Sequence, residues 1–329
     1  MIVGEGNYRY RIDPAWGRLP DGWRYGEVAA VGVDSADHVY VFSRGEHPMV
    51  VFDRDGNFLR SWGEGIFNKP HGLHVGPDDS LYCTDDGDHT IRKFSPGGRL
   101  LLQIGLPGQP APFMSGQPFH RCTHTALSPD GDIYIADGYG NARVHHYTAN
   151  GKFLRSWGSP GTGPGEFNTV HNICCDDEGQ IYVADRENNR VQVFNRDGRY
   201  ATQWHNLHRP CGLCMKSGAK PLFYIGELGP GPQFSNRDWP GIGPRLSIMD
   251  AEGTLLARLG DKQSAGLSGP FTSPHGVALD SSGDIYIGEV SRTTLTNRGA
   301  KLDPDKDPVC LQKLVRIPPQ GEPHAATDA

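Results

Sequence analysis

Three histidines stand at the same place in a phrase that recurs along the chain. The copies are Pro70-His71-Gly72-Leu73, Val170-His171-Asn172-Ile173 and Pro274-His275-Gly276-Val277. Each is followed within about a dozen residues by an acidic turn and a short apolar strand. Equivalent positions in successive repeats of a closed ring point at one axis, so these imidazoles are predicted to meet there. Three imidazoles that meet in this way can bind one metal ion.

Zinc suits such a trio, because it accepts neutral imidazole nitrogens and a catalytic zinc leaves a fourth position open. Iron, manganese or cobalt would also accept these ligands. The trio occupies alternate members of six repeats, which predicts threefold geometry. In the competing interpretation, each histidine only lines a wet channel. His124 stands at a similar place in the third repeat, either as an alternative ligand or as a neighbour of the ligands.

Three further side chains follow the second strand of their repeats and are predicted to open on the same face. They are Arg44, Tyr139 and Arg186. Arginine offers a planar, permanently charged fork that suits a carboxylate. A tyrosine beside a zinc ion and two guanidinium groups ionises more easily and can act as a general base. The alternative is that all three only pack at the surface.

The elements that position these residues are six repeats of four short strands, about 40 to 60 residues each. Their second strands lie at Val39, Leu81, Ile133, Ile181, Phe223 and Ile285. This pattern predicts an all-β, six-bladed β-propeller, in which the first strand of each blade lines the central channel. The sixth repeat lacks a strand after Leu311 to Ile317, and Tyr8 to Ile12 is predicted to complete it and close the ring.

The repeats predict a single domain over residues 1–318 and a disordered tail over 319–329. Three segments break the period and are predicted to form loops on one face: Gly105 to His120, Pro230 to Arg245 and Ser291 to Pro308. Such loops either carry function or only extend the surface.

Composition and charge limit the kinds of binding partner and the cellular compartment that are expected. The net charge is −6 and the basic residues are scattered, which argues against nucleic acid. No stretch approaches the roughly 20 apolar residues that cross a bilayer. The segment from Met1 to Trp16 does not read as a secretory signal, so the cytoplasm is expected. The seven cysteines, including the Cys211/Cys214 pair, read as small apolar residues in a reducing compartment.

The six repeats resemble NHL repeats. The phrases that carry the candidate site residues more specifically resemble those of the peptidyl-α-hydroxyglycine α-amidating lyases. The resemblance covers about residues 25 to 290. It rests on the three histidine phrases and on Ser43-Arg44-Gly45-Glu46-His47, Asp137-Gly138-Tyr139-Gly140-Asn141-Ala142-Arg143, Gly151-Lys152-Phe153 to Trp157-Gly158, and Val183-Ala184-Asp185-Arg186-Glu187-Asn188.

The resemblance implies that His71, His171 and His275 bind zinc, that Tyr139 is the base, and that Arg44 and Arg186 hold the substrate. The family cleaves a carbinolamide N–C(OH) bond and releases an amide and glyoxylate. The expected partner is therefore a small or short peptide-like molecule that carries a carboxylate. Gly276 replaces an aspartate that helps the family to hold calcium, which argues against a structural Ca²⁺ here. The family's methionine two residues before the third histidine is Ser273.

Three classes of function remain open at this point. The first is a metal-dependent lyase, or a related hydrolase of a small amide, imide or lactone. The second is a non-catalytic NHL propeller that binds a protein or RNA. The third is a calcium-dependent, lactonase-like propeller, for which carboxylate and amide ligands would be expected in place of histidines.

Overall fold

The computed structural model describes residues 1–229, 242–260 and 269–319. Its elements are almost all short β-strands. In chain order they are β1 (Ile2–Glu5), β2 (Tyr8–Asp13), β3 (Val28–Val33), β4 (Val39–Ser43), β5 (Met49–Phe52), β6 (Phe58–Trp62), β7 (Pro70–Val75), β8 (Leu81–Asp85), β9 (Thr90–Phe94), β10 (Leu100–Ile104), β11 (His124–Leu127), β12 (Ile133–Asp137), β13 (Arg143–Tyr147), β14 (Phe153–Trp157), β15 (Ser159–Pro160), β16 (Glu166–Phe167), β17 (Val170–Cys175), β18 (Ile181–Asp185), β19 (Arg190–Phe194), β20 (Tyr200–Trp204), β21 (Pro210–Lys216), β22 (Leu222–Glu227), β23 (Arg245–Asp250), β24 (Leu255–Leu259), β25 (Pro274–Leu279), β26 (Ile285–Glu289) and β27 (Leu311–Ile317).

Apart from β15 and β16, which form a short parallel pair, these strands form six antiparallel sheets, one for each predicted repeat. Blades 1 to 5 take four consecutive strands each: β3–β6, β7–β10, β11–β14, β17–β20 and β21–β24. The all-β, six-bladed propeller predicted from the repeats is confirmed. The first strands of the blades, β3, β7, β11, β17, β21 and β25, contact one another around the central axis.

Blade 6 closes the ring with both ends of the chain, as predicted. Its order is β1-β2-β27-β26-β25, and β2 pairs with β27 through Tyr10 opposite Arg316. The extra outer strand β1 was not predicted. Ring closure removes the exposed edges that an open sheet would present. The domain boundary at 318 stays a prediction, because residues 320–329 lie outside the described part.

The second strand of every blade carries a buried tyrosine, which explains why the apolar-aromatic phrase repeats. The six are Tyr40, Tyr82, Tyr134, Tyr182, Tyr224 and Tyr286. In blades 1, 4 and 6 the phenol donates to an aspartate in the preceding turn, at distances of 2.9 to 3.0 Å. A buried hydroxyl left without a partner would cost about 1–3 kcal/mol. The acidic turn and the tyrosine therefore stabilise these three blades together.

Two of the predicted loops reach the same mouth of the channel. In the segment from Gly105 to His120, the amide of Met114 donates to the carbonyl of Gly140 at 2.8 Å. Helix α1 (Ser291–Asn297) begins the third predicted loop and borders the cavity above the histidines. Residues 230–241 of the second predicted loop are not described. No helix in the described ranges is long and apolar enough to cross a membrane.

Candidate metal centre

The strand register places six residues at equivalent positions around the channel. In blade 2, Gly72 of the first strand pairs with Thr84, the penultimate residue of the second strand, and His71 directly precedes Gly72. The same rule gives the equivalent residue in each of the other blades. The six are Ala29, His71, Thr123, His171, Cys211 and His275. Histidines in blades 2, 4 and 6 therefore alternate with smaller side chains in blades 1, 3 and 5.

Each histidine is oriented by the equivalent residue of the next blade. The Nδ1 atoms of His71, His171 and His275 bond the backbone carbonyls of Thr123, Cys211 and Ala29 at 2.7, 3.0 and 2.6 Å. A carbonyl oxygen only accepts, so each Nδ1 carries the hydrogen and each Nε2 keeps its lone pair. The alternation of large and small side chains makes room for this arrangement.

The three imidazoles face one another in a buried cluster. Their ring centroids lie 4.7 to 5.0 Å apart, and one ligand atom from each lies within 4.8 Å of the others. Burial lowers the pKa of all three well below the usual value, and Arg44 near His71 and Arg186 near His171 lower it further. The imidazoles are therefore neutral, the form that binds metal.

This donor set fits a divalent transition metal. Three neutral nitrogens with inward lone pairs, held by hydrogen bonds on their far side, match a three-histidine site with one open position. The three buried histidines can thus hold a metal ion. Their assignment as its ligands stays a prediction.

His124 does not join the trio, and the reason is a one-residue difference in register. His124 pairs with Ala136 and so occupies the position of Gly72, while Thr123 takes the position of His71. The His124 ring lines the central cavity of about 600 Å³ on the other side of the trio, together with His74. Sequence spacing alone could not exclude His124, because its repeat begins after an insertion.

Tyr139 lies directly beside the trio. Its phenolic oxygen is 3.0 Å from Nε2 of both His71 and His171, so the hydroxyl donates to one of these lone pairs. Arg186 donates to the same oxygen at 3.3 Å. Burial raises the pKa of Tyr139, and the charge of Arg186 opposes the shift without cancelling it. The easier ionisation expected for this phenol is therefore not produced by the protein's own charges.

Arg44 and Arg186 both directly follow the second strand of their blades, and carboxylates orient them. Arg44 donates to Glu27 at 2.8 Å and to the carbonyl of Pro70 at 3.1 Å. Arg186 begins a 3₁₀ turn and donates to Glu187 at 2.7 Å. Both predicted arginines therefore stand at the mouth beside the histidines, as their repeat position predicted.

In blades 2 to 6 the acidic residue that ends the second strand fixes the loop before the inner strand. The Asp85 carboxylate accepts the backbone N–H of Asn68 and Lys69, and Asp185 accepts that of Asn168. Glu289 does the same for Thr272 and Ser273. Asp137 accepts the backbone N–H of His120 in the same way, at 3.1 Å. These bonds hold the strand start that carries each histidine.

A cavity of about 290 Å³ opens above the trio and is lined by cations. His275 and Tyr139 form part of its wall, and helix α1 forms another part. No carboxylate lines it in the described part of the chain, whereas six cationic side chains do: Arg44, Lys69, Arg121, Arg186, Arg209 and Arg298. The cavity therefore suits an anionic ligand.

Comparisons with known proteins agree with this architecture. Residues 124–225 match the family DUF5128, described as a 6-bladed beta-propeller. NHL repeat-containing protein 3 of Homo sapiens is 34% identical over 210 residues, which cover 60% of each chain. Peptidyl-alpha-hydroxyglycine alpha-amidating lyase 1 of Drosophila melanogaster is 29% identical over 336 residues, covering 87% of this chain and 59% of the relative. This chain is a six-bladed β-propeller related to NHL-repeat proteins and amidating lyases.

The alignments span about 60% of the length of both relatives. A solved streptogramin B lyase superposes on this propeller with a TM-score of 0.57 and 15% identity, over 93% of this chain and 97% of the other. At that identity the match supports the fold alone.

Sequence reasoning missed several residues that line the cavity of about 290 Å³ above the trio, hereafter the upper cavity. Lys69, Arg121 and Arg209 each stand two residues before the equivalent position in their blades. That offset from the recurring phrase was the signal that would have found them. Cys211 was taken as an apolar residue, yet its Sγ lies 3.4 Å from Nδ1 of His171. All seven cysteines are free.

Proposed function

We propose that the protein is a zinc-dependent lyase that cleaves the N–C(OH) bond of a carbinolamide and releases an amide and glyoxylate. One observation carries the proposal: three imidazole Nε2 atoms, a phenol and a guanidinium group meet at the base of a cationic cavity. The relationship to amidating lyases supports the reaction class. A related hydrolase that attacks a small amide, imide or lactone is the nearest alternative.

His71, His171 and His275 would hold the ion, leaving the side toward the upper cavity for substrate. A divalent ion there would supply positive charge that acidifies both the substrate hydroxyl and the Tyr139 phenol. The backbone carbonyls of Thr123, Cys211 and Ala29 accept the Nδ1 hydrogens and so fix the histidine tautomers that such an ion requires.

Tyr139 would act as the general base toward the substrate hydroxyl. Its oxygen already lies within hydrogen-bond reach of the space that a ligand on the trio would occupy. The reaction transfers the hydroxyl proton to the phenolate, and the oxygen electron pair forms a C=O bond as the C–N bond breaks. The departing amide nitrogen then takes this proton from the Tyr139 phenol, so the substrate yields one amide and one glyoxylate and the phenolate is regenerated.

Arg44 and Arg186 would hold the carboxylate next to the reacting carbon. Both are oriented by acidic neighbours, so their forks are in place before the substrate arrives. A fixed guanidinium group also complements charge that builds on oxygen during bond cleavage. Arg186 would serve both roles, because it contacts the Tyr139 oxygen as well.

The experiment uses the full chain and measures metal content and turnover together. Elemental analysis of purified protein should find one zinc per chain, and His171→Ala should lose it. With α-hydroxyhippurate as substrate, glyoxylate and benzamide should appear in equal amounts. The matched control is His124→Ala, which should keep the metal because His124 faces the other cavity.

The outcomes separate the alternatives. Bound zinc without glyoxylate release would overturn the lyase proposal and leave the hydrolase proposal. Release of benzoate from benzamide-type substrates would then reveal hydrolase activity. Protein without any transition metal would overturn both enzymes and favour an NHL propeller that only binds a partner.

A further inference from the structure

A second ring of equivalent positions surrounds the mouth, two residues before the ring that carries the histidines. The strand register assigns these positions to Glu27, Lys69, Arg121, Thr169, Arg209 and Ser273. Three of the six are cations, and all three line the upper cavity. Lys69 and Arg121 are neighbours in blades 2 and 3.

Lys69 and Arg121 share one buried carboxylate. Asp86 lies 3.1 Å from Lys69 Nζ and 3.2 Å from Arg121 Nη2. Asp86 is 1% exposed, whereas the side chains of Lys69 and Arg121 are 41% and 40% exposed. The carboxylate therefore lies beneath the pair, and both cations present their remaining N–H groups to the cavity.

Arg121 is also fixed relative to the reacting centre. Its guanidinium carbon lies 4.8 Å from the centroid of the Tyr139 ring, and that of Arg186 lies 5.3 Å from the same centroid. The ring of Tyr139 thus links two cationic groups, one of which also bonds its phenolic oxygen. A ligand that lies along this ring meets Arg186 near the trio and Arg121 farther out.

Within the described residues, Lys69 and Arg121 share one carboxylate, so one positive charge of this pair has no counterpart there. Arg44 has its own partner in Glu27, and Arg186 shares Glu187 with Arg209. Two cations on one Glu187 leave a second excess charge beside Tyr139, which is available to the carboxylate next to the reacting carbon. The excess charge at Lys69 and Arg121 matches a second, singly charged carboxylate better than a doubly charged phosphate. Such a site is accessible and hydrated, so it discriminates between ligands modestly and depends on salt.

We infer that the substrate carries a second carboxylate, at the end away from the scissile carbon, and that Lys69 and Arg121 bind it. The substrate class is an N-acyl-α-hydroxyglycine whose acyl group ends in a carboxylate. Cleavage then gives glyoxylate and the monoamide of a dicarboxylic acid, with the same atom balance as for a neutral acyl group. This inference rests on the proposed lyase reaction for the substrate, and on the cation pair alone for the anion site.

The test compares N-succinyl-α-hydroxyglycine with N-butyryl-α-hydroxyglycine, which has the same chain length and no distal charge. The wild type should have a kcat/KM about two- to fivefold higher for the succinyl compound, the range expected of a solvent-accessible charge pair. Arg121→Gln should reduce this ratio toward one, mainly through KM, and Arg121→Lys should retain part of it. Arg99→Gln, an exposed arginine on the outer turn of blade 2, should leave the ratio unchanged.

A binding measurement keeps the two proposals distinguishable. By calorimetry the wild type should bind glutarate more tightly than butyrate, with a difference that shrinks in Arg121→Gln and at high salt. Glutarate selectivity without any glyoxylate release would overturn the lyase and leave the anion site. Equal kcat/KM for the two substrates in wild type and in Arg121→Gln would overturn the anion site and leave the lyase.

Discussion

His275 donates its Nδ1 hydrogen to the backbone carbonyl of Ala29 at 2.6 Å, across a separation of 246 residues. The bond joins the last blade to the first at the height of the histidine trio. The equivalent bonds of His71 and His171 join blade 2 to blade 3 and blade 4 to blade 5. The His275 bond is therefore part of both the histidine trio and the junction that closes the ring.

Metal binding is expected to stabilise the fold against heat, because an ion on the trio binds only the folded ring. Removal of the metal by a chelator should lower the Tm, and zinc should restore it. His275→Ala should abolish the rise in Tm on addition of zinc. In a thermal-shift series His124→Ala serves as the control and should respond like the wild type. A full response in His275→Ala would remove His275 from the ligands.

Tyr139→Phe should separate catalysis from metal binding. In the metal-free protein the phenol donates to an Nε2 lone pair that a metal would need. Its loss should leave zinc affinity unchanged or higher, measured by competition with a chromogenic chelator. Loss of a general base should lower kcat about 10²- to 10⁴-fold with little change in KM. A variant that kept the wild-type kcat would exclude Tyr139 as the base.

Gly276→Ala should destabilise the propeller, because the inner strands approach too closely for a side chain. A Cβ at this position would lie 2.6 Å from Cα of Ala30 and 3.0 Å from the amide nitrogen of Val31. Overpacking of this kind costs about 1–3 kcal/mol. Urea unfolding should show the loss, whereas Gly97→Ala should be neutral because nothing lies within 4 Å of its Cβ position. Equal stability of the two variants would contradict the packing argument.

Stability should fall below about pH 6.5 through the two histidines of the central cavity. Desolvation lowers the pKa of His74 to about 3 and that of His124 to about 4. In the unfolded chain both bind a proton near pH 6.5. Between these values the unfolded state holds more protons, so the unfolding free energy decreases as the pH falls.

The measurement is urea unfolding from pH 7 to pH 5, with chelator present in every sample. The His74→Gln/His124→Gln double variant should have a shallower dependence on pH than the wild type. An identical slope in the two proteins would show that neither histidine is held neutral by the fold.

The repeated sequence by itself determined the propeller and the histidine trio. The first five repeats each form four strands, the N-terminal strands complete the sixth, and closure of the ring brings His71, His171 and His275 to one axis. The same logic predicted that Arg44, Tyr139 and Arg186 share a mouth, because all three follow a second strand.

Only the tertiary structure decided what depends on register or on segments outside the repeat. A shift of one residue removes His124 from the trio, and spacing cannot reveal such a shift after an insertion. The upper cavity combines Lys69 and Arg121, which share a repeat position, with helix α1, which belongs to a non-repeating loop, and no period in the sequence predicts that helix α1 lies against them. The hydrogen bonds that set the histidine tautomers run between neighbouring blades, and they exist only once the ring has closed.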